Sequence, residues 1–447
     1  MAETYNGNDL DRLADLSDRL TAKNISTKTF VGNMVGLAAM QSTGSKIDGN
    51  INTDKQTMCL IGDSLIAQDK VDDDQTSCFG MFEWANALSG HKFTLLNNAG
   101  IGGENSTQIL ARVDTDVIAY NPTHCMFICG MNNDATIGSS TDTLISHIIE
   151  IYEKLNSAGI YSYVLTNTLK TSDSLKTIQA FYVNNYLANY FKDKPNVVFI
   201  DIMKAWIDNT STTNTAKTNV LRDDKHQSNY GAYLAGKEIA KYFGLETNKS
   251  DILPISAYDT YSINTDSLNW IKNPIMLGTG GTKATGISGD LADNISSEIT
   301  SATAVASKVL RSDGLGYNQK IDITSTADGS IKLYFDAERL DIGAGDDIFA
   351  VCEILLDANS DNFLFPMFSL EYNNVAVKRM FFPSYPSNVR FPILVENETK
   401  LTLITPIATL DSALSSTFRV GLQVNFVGAG SCIFQIGRVG ILKVPTL

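Results

Sequence analysis

The stretch Gln56–Gln68, QTMCLIGDSLIAQ, sets an apolar run, Met58 to Ile61, directly against Gly62-Asp63-Ser64 before apolar residues resume at Leu65. A short apolar run closed by a turn is the pattern of a buried strand. Two readings of the tripeptide stand. It is a strand-ending turn, or it holds Ser64 as a nucleophile at the rim of a sheet. A serine nucleophile needs a base, a group that orients the base, and donors for an oxyanion. The rest of the chain has to supply them.

Four more apolar runs follow: FTLLN at 93–97, HCMFIC at 124–129, YSYVLT at 161–166 and VVFID at 197–201. Between the last three lie helical patterns, DTLISHIIEIYEKLNSAG (142–159) and SLKTIQAFYVNNYLANYFKD (174–193), and a final one, NYGAYLAGKEIAKYFG, stops at Gly244. Strands that are apolar throughout, alternating with helices, predict an α/β fold with a parallel sheet covered on both faces. In such sheets the active groups gather beyond the C-terminal ends of the strands. Gly62-Asp63-Ser64 falls there.

At 447 residues the chain exceeds what one hydrophobic core usually holds. Three regions are expected. Residues 1–50 are a lead-in with Leu10, Leu13, Leu16 and Leu20 on one helical face, read as a helix packed on the body or as an oligomerisation helix. Residues 51–250 are the α/β region. Residues 255–447 are richer in Gly, Ser, Thr and Asn and show period-two strands. Ile331, Leu333 and Phe335 share one face, as do Phe418, Val420, Leu422, Val424 and Phe426. Turns such as DGS and GAGDD between these strands predict an antiparallel β-sandwich or jelly roll. The boundary is placed near Thr247–Asp259.

The net charge of −14, with no basic cluster longer than Val377-Lys378-Arg379, argues against nucleic acid or an anionic membrane as partner. No window of 18 apolar residues is present, so no membrane span is expected. MAETYNGNDLDRL has neither a basic n-region nor an apolar h-region and reads as lacking a signal peptide. Cys59, Cys78, Cys125, Cys129, Cys352 and Cys432 lie far apart or inside apolar runs, and Cys125 and Cys129 have no second pair to complete a zinc site. They are expected to be reduced, buried thiols, which points to synthesis in a reducing compartment.

Candidate partners for Ser64 sit at other strand ends. NNAGIGGENST (97–107) offers three glycines in four positions and so exposable N–H groups, although it also reads as a strand–helix turn. CGMNND (129–134) offers an Asn that could cap a helix or donate to a developing charge. LRDDKHQSNYGAY (221–233) contains one of only four histidines. His124 begins a strand, His147 lies in a helical pattern and His91 follows a turn. His226 alone sits in a polar loop, with Asp223 and Asp224 just before it, as an oriented base would.

Taken in order, Gly62-Asp63-Ser64-Leu65, Gly103, Asn132, and Asp223 with His226 resemble the four signature blocks of the SGNH/GDSL hydrolases, over roughly residues 55–245. The resemblance implies a flavodoxin-like three-layer α/β/α fold and a serine esterase that uses no cofactor and no metal. It implies Ser64 as nucleophile, His226 as base and Asp223 as its orienting partner. Ser64 N–H, Gly103 N–H and the Asn132 amide would form the oxyanion hole. Two departures matter. Asn133 stands where the family's third block has Asp, and so competes with Asn132. Asp224 competes with Asp223, whose spacing to His226 is the family's.

The family cleaves many acyl esters. No long apolar insertion suggests a lipase lid, so the expected substrate is a short acyl group, acetate first, on a polysaccharide or small ester. Lipid or thioester hydrolysis is the alternative within the family. A non-catalytic glycan-binding or virion protein is the alternative outside it. Tyr317, Tyr372, Phe382 and Tyr385 are read as core residues or as sugar-stacking platforms. An esterase joined to a β region without a signal peptide also looks like a bacteriophage tail spike, which places the protein on a virion. A cytoplasmic setting is the second reading and a secreted one the third. A homo-oligomer through residues 1–50 or the β region is the expected assembly.

Overall fold

In the computed structural model, the described residues are 56–72, 74–135, 139–211, 213, 215–243, 253–254, 256, 269–339, 341–383, 390–411 and 413–444. The leucine stripe of residues 10–20, most of the expected boundary and Tyr385 lie outside them. Five strands form one parallel sheet: β1 (Gln56–Gly62), β4 (Phe93–Gly100), β5 (His124–Ile128), β6 (Tyr161–Leu165) and β7 (Val197–Ile200). Each coincides with one of the five apolar runs. Their spatial order is β4-β1-β5-β6-β7. Counting only these five, that is 2-1-3-4-5, the flavodoxin-like winding whose direction reverses between the first and third strands.

Both faces of this sheet are covered because its strands are apolar at successive positions. Met58 and Leu60 face one core with Trp84, Tyr233 and Ile239, from helices Met81–Leu88 and Asn229–Ala240. Cys59 and Ile61 face another with Ile109, Ile148, Ile151, Val183 and Leu187, from helices Ser106–Ala111, Ser139–Ser157 and Ser174–Phe191. The six cysteines are buried and unpaired.

The C-terminal region contributes β8 (Gly280–Thr282), β9 (Ile287–Gly289), β10 (Leu291–Leu310), β11 (Tyr317–Asp336), β12 (Asp347–Leu356), β13 (Phe363–Tyr372), β14 (Val375–Phe382), β15 (Thr399–Ile404), β16 (Ala408–Thr409), β17 (Phe418–Phe426) and β18 (Ala429–Lys443). The period-two residues are buried as expected, Ile331, Leu333, Val420 and Val424 among them. The sheet is mixed rather than wholly antiparallel. Short β8 and β9 run parallel to β10. Two short strands come from the first region: β2 (Lys70–Asp72) pairs antiparallel with β3 (Gln75–Ser77), and β3 runs parallel to β14. On the side away from β10, β11 changes partner along its length. Residues 319–326 pair with β18 and residues 329–336 with β17. One branch continues through β12 to β15, the other through β13 to β14.

The two regions share one core. The cluster holding Met58 and Trp84 runs on through Phe365, Phe381, Leu403 and Ile441. Trp84 stacks on Phe381 with ring centroids 4.3 Å apart. The buried amide of Asn229 donates to the carbonyls of Leu364 (3.0 Å) and Phe391 (2.8 Å) and accepts from the N–H of Phe391 (2.8 Å).

Candidate active site

Where β1 ends, the chain turns straight into a four-residue helix, Ser64–Ala67, with Asp63 as its N-cap accepting from Leu65 N–H at 3.0 Å. The cap fixes the turn that presents Ser64 at the rim of the sheet, next to the winding reversal between β1 and β5. The crossing is tight. A Cβ on Gly100, at the end of β4, would stand 2.2 Å from Ala67 N, so only glycine lets the two segments pass. Asp63 is completely buried, and burial pushes its carboxyl up to about 6 against the pull of the Leu65 and Met131 N–H groups and of Lys225 and Lys176.

The loop 221–228 approaches Ser64 from the far end of the α/β region. Its base is held by Arg222 N–H donating to the His226 carbonyl at 2.9 Å and by Ser228 capping the helix from Asn229. Gln227 is fully buried, and its amide donates to the carbonyls of Leu65 (3.0 Å) and Phe79 (3.1 Å). The residue after His226 is thus tied to the residue after Ser64. His226 Nε2 lies 2.8 Å from Ser64 Oγ, and its Nδ1 lies 2.8 Å from Asp223 Oδ2. A carboxylate can only accept, so the Nδ1 proton belongs to that contact and Nε2 faces the hydroxyl as acceptor. Burial alone would raise the Asp223 carboxyl. The N–H groups of His226 and Lys225 and the imidazole outweigh it and hold the carboxyl below its usual value.

Asp224 turns elsewhere. Its carbonyl accepts from Thr171 N–H at 2.8 Å and its carboxylate from the Ser172 hydroxyl. Asn133 is bound at both ends of its amide. Its Oδ1 accepts from Ser106 N–H (2.9 Å) and its Nδ2 donates to Ser106 Oγ (2.7 Å). Asn132 Nδ2 spends one hydrogen on the Glu104 carbonyl, at 3.0 Å, which leaves its second hydrogen for another acceptor. Gly103 has φ +86 with open space around a would-be Cβ, so its backbone conformation, not crowding, requires glycine. A Cβ on neighbouring Gly102 would lie 3.9 Å from Ser64 Cβ, which puts this loop beside the hydroxyl. No hydrogen bond among the described residues engages the N–H groups of Ser64 or Gly103.

The other three histidines stand apart. His124 starts β5 and stacks on Tyr163, and burial, helped by Lys92, lowers its pKa to about 4. His147 sits in the helix Ser139–Ser157, 2.8 Å from Ser106 Oγ. His91 occupies the turn before β4 with φ 55. Two contributors escaped sequence reasoning. Gln227 carries no signal beyond standing next to His226. Lys176 reads as a solvated helical lysine, yet it is 5% exposed and donates to the Asn133 carbonyl at 2.7 Å. Burial lowers its pKa to about 8, Asp173 opposing. Of the four aromatics, Tyr372 belongs to the core, with its hydroxyl donating to Asp411. Tyr317 and Phe382 are half-buried, beneath Lys308 and Arg379 respectively.

Among the described residues no group of three or more His, Cys, Asp or Glu could hold a metal ion, and no helix is long and apolar enough to cross a membrane. No family model matches the chain and no curated protein matches it. Solved structures do. An acetylxylan esterase from Geobacillus stearothermophilus is 16% identical, with 44% of this chain and 97% of that one covered at a TM-score of 0.35. A GDSL-like lipase from Bacteroides thetaiotaomicron is 14% identical, covering 46% and 96% at 0.35. A lipase/acylhydrolase from Enterococcus faecalis is 19% identical, covering 42% and 94% at 0.34. Likeness at this level leaves the chemistry to be judged from the site itself.

Proposed function

We propose that this chain is a serine esterase of the SGNH/GDSL kind, acting on short acyl esters through an acyl-enzyme. The observation that carries the reading is the row Ser64 Oγ, His226 Nε2, His226 Nδ1, Asp223 Oδ2, with both contacts at 2.8 Å. Ser64 Oγ attacks the ester carbonyl carbon while Nε2 takes its proton. Negative charge then develops on the carbonyl oxygen, where Ser64 N–H, Gly103 N–H and Asn132 Nδ2 donate. Collapse of the tetrahedral species breaks the bond to the alcohol oxygen, which receives the proton from Nε2. Water repeats the cycle on the acyl-Ser64 ester and releases the acid and free Ser64. Asp223 holds the ring and stabilises the imidazolium throughout.

We carry the substrate as acetate on a polysaccharide. Its support is the short, largely polar character of the loops GDSLIAQ, GIGGENS and CGMNND, which offer donors and little apolar surface for a long chain. The C-terminal region on this reading is a sandwich with its corner at β11, where the strand passes from one branch of the sheet to the other. Its suggested task is to engage the polymer, in a tail-spike-like setting. The test is hydrolysis of chromogenic esters from acetyl to octanoyl. Acetyl should be best, Ser64→Ala should lose about 10⁴-fold or more, and an organophosphonate should label Ser64 alone. Each methylene in a real acyl tunnel would be worth about 0.8 kcal/mol, so rates that climb steadily toward octanoyl overturn the acetyl reading. Labelling at another serine overturns the assignment of Ser64 as nucleophile.

A further inference from the structure

Three strand ends must be held in register for three donors to converge on one oxygen, and Arg112 ties two of these segments together directly and meets the third through Glu104. Arg112 closes the helix Ser106–Ala111 and is only 13% exposed along its side chain. Its Nη2 donates to the Gly62 carbonyl at 3.0 Å, two residues before Ser64. Its Nε donates to Glu104 Oε2 at 2.7 Å, one residue after Gly103. The Glu104 carbonyl in turn accepts from Asn132 Nδ2 at 3.0 Å. Ile101 N–H completes the Gly62 carbonyl at 3.0 Å, so both lone pairs of that oxygen bind the 101–112 segment. The third arm, Nη1 to Asp116 Oδ2 at 2.9 Å, reaches none of the three strand ends.

We propose that Arg112, acting through Glu104, is the positioning residue that sets the mutual spacing of the Ser64, Gly103 and Asn132 donors. This rests on the esterase reading above. The device depends on geometry that lysine cannot copy. A guanidinium presents its donors as a rigid planar fork, so two bonds to two different segments fix their separation, whereas an ammonium is a point on a flexible stem. Neither Arg112 nor Glu104 touches substrate. Their effect belongs to the step in which charge reaches the carbonyl oxygen, and so to kcat rather than KM.

The test uses the full chain and a chromogenic acetate ester. Arg112→Lys and Arg112→Ala should lower kcat by about 10- to 100-fold, a fraction of what loss of a whole oxyanion donor costs, with KM changed less than about twofold. Binding of a boronic acid that forms a tetrahedral adduct on Ser64 should weaken in proportion to kcat/KM. Methylguanidinium should restore part of the activity of Arg112→Ala and none of that of Ser64→Ala. Glu104→Ala should match Arg112→Ala, and the double variant should lose no more than the worse single. Asp116→Asn is the control and should keep kcat within twofold. Full kcat in Arg112→Lys and Glu104→Ala overturns the positioning role while leaving the esterase reading intact. So does an Arg112→Lys protein that no longer unfolds cooperatively, because the residue is then needed for folding. A wild-type protein without esterase activity overturns the reading beneath it.

Discussion

At the scale of single residues, like neighbours in the proposed site differ in what each already binds. Asp223 and Asp224 are the same residue type side by side, but Asp224 is spent on Ser172 while Asp223 Oδ2 faces His226 Nδ1. Asp223→Asn leaves a neutral amide whose oxygen or nitrogen must face the ring. The wrong histidine tautomer then becomes stable, at a cost of about 10⁴-fold in kcat. Asp224→Asn keeps an acceptor for Ser172 and should cost less than about tenfold. Parallel kcat measurements on the two variants check this, and equal losses would count against Asp223. Asn132 and Asn133 differ in how they are held: Asn133 is bound at both ends of its amide by Ser106, whereas Asn132 is bound through Nδ2 by the Glu104 carbonyl.

At the scale of elements, the helix Met81–Leu88 lacks a side-chain cap of its own because Gly80 precedes it. Asp69 supplies one from a distance, its Oδ1 accepting from Glu83 N–H at 3.1 Å. Asp69 is completely buried, and burial pushes its carboxyl up to about 8 against the pull of the Glu83, Phe82 and Met81 N–H groups. The sign of the pH effect follows. Between its unfolded value near 4 and the folded value, the native state holds a proton that the unfolded chain has released. Stability from this group is therefore fully present at low pH and lost as pH rises toward 8, at about 1.4 kcal/mol per pH unit. Asp63, raised to about 6, adds to the decline only below that value. Asp69→Asn keeps the acceptor and cannot ionise. Urea unfolding of the variant at pH 6, 7 and 8 should show the Asp69 slope gone, and a slope unchanged from wild type would contradict the assignment.

At the scale of the whole molecule, the α/β and β regions meet through a core-like surface rather than a wet one. Trp84 and Phe381 are buried, and so is the Asn229 side chain that makes three bonds to Leu364 and Phe391. Asn229→Ala strands three backbone groups, each worth about 1–3 kcal/mol when left unpaired, so a loss of at least about 3 kcal/mol is expected within one cooperative transition. A chain ending near residue 250 would expose the same apolar surface and lose the partner of β3. It should fail to give a cooperative melt, and a truncated protein that melts sharply would show that the shared core is dispensable.

The sequence by itself determined the local and the periodic. Five apolar runs became the five parallel strands, and Ile331, Leu333 and Phe335 face a core, because burial along a strand is written in the order of its own residues. It also marked His226 among four histidines, because only that one stood in a polar loop leading into a helix. Its spacings favoured Asp223 before His226 and Asn132 after Gly130 but left Asp224 and Asn133 as competitors. The tertiary structure sets those two competitors on Ser172 and Ser106, brought up by other loops. Arg112 and Lys176 gave no signal, since a lone basic residue in a helix looks solvated until its partners close around it. The pairing of β3 with β14 joins Gln75 to Arg379 across some three hundred positions. Hydrogen bonds of that kind are made by backbone groups that every residue carries, so residue identity does not encode them. The packing of two regions on one core decided them.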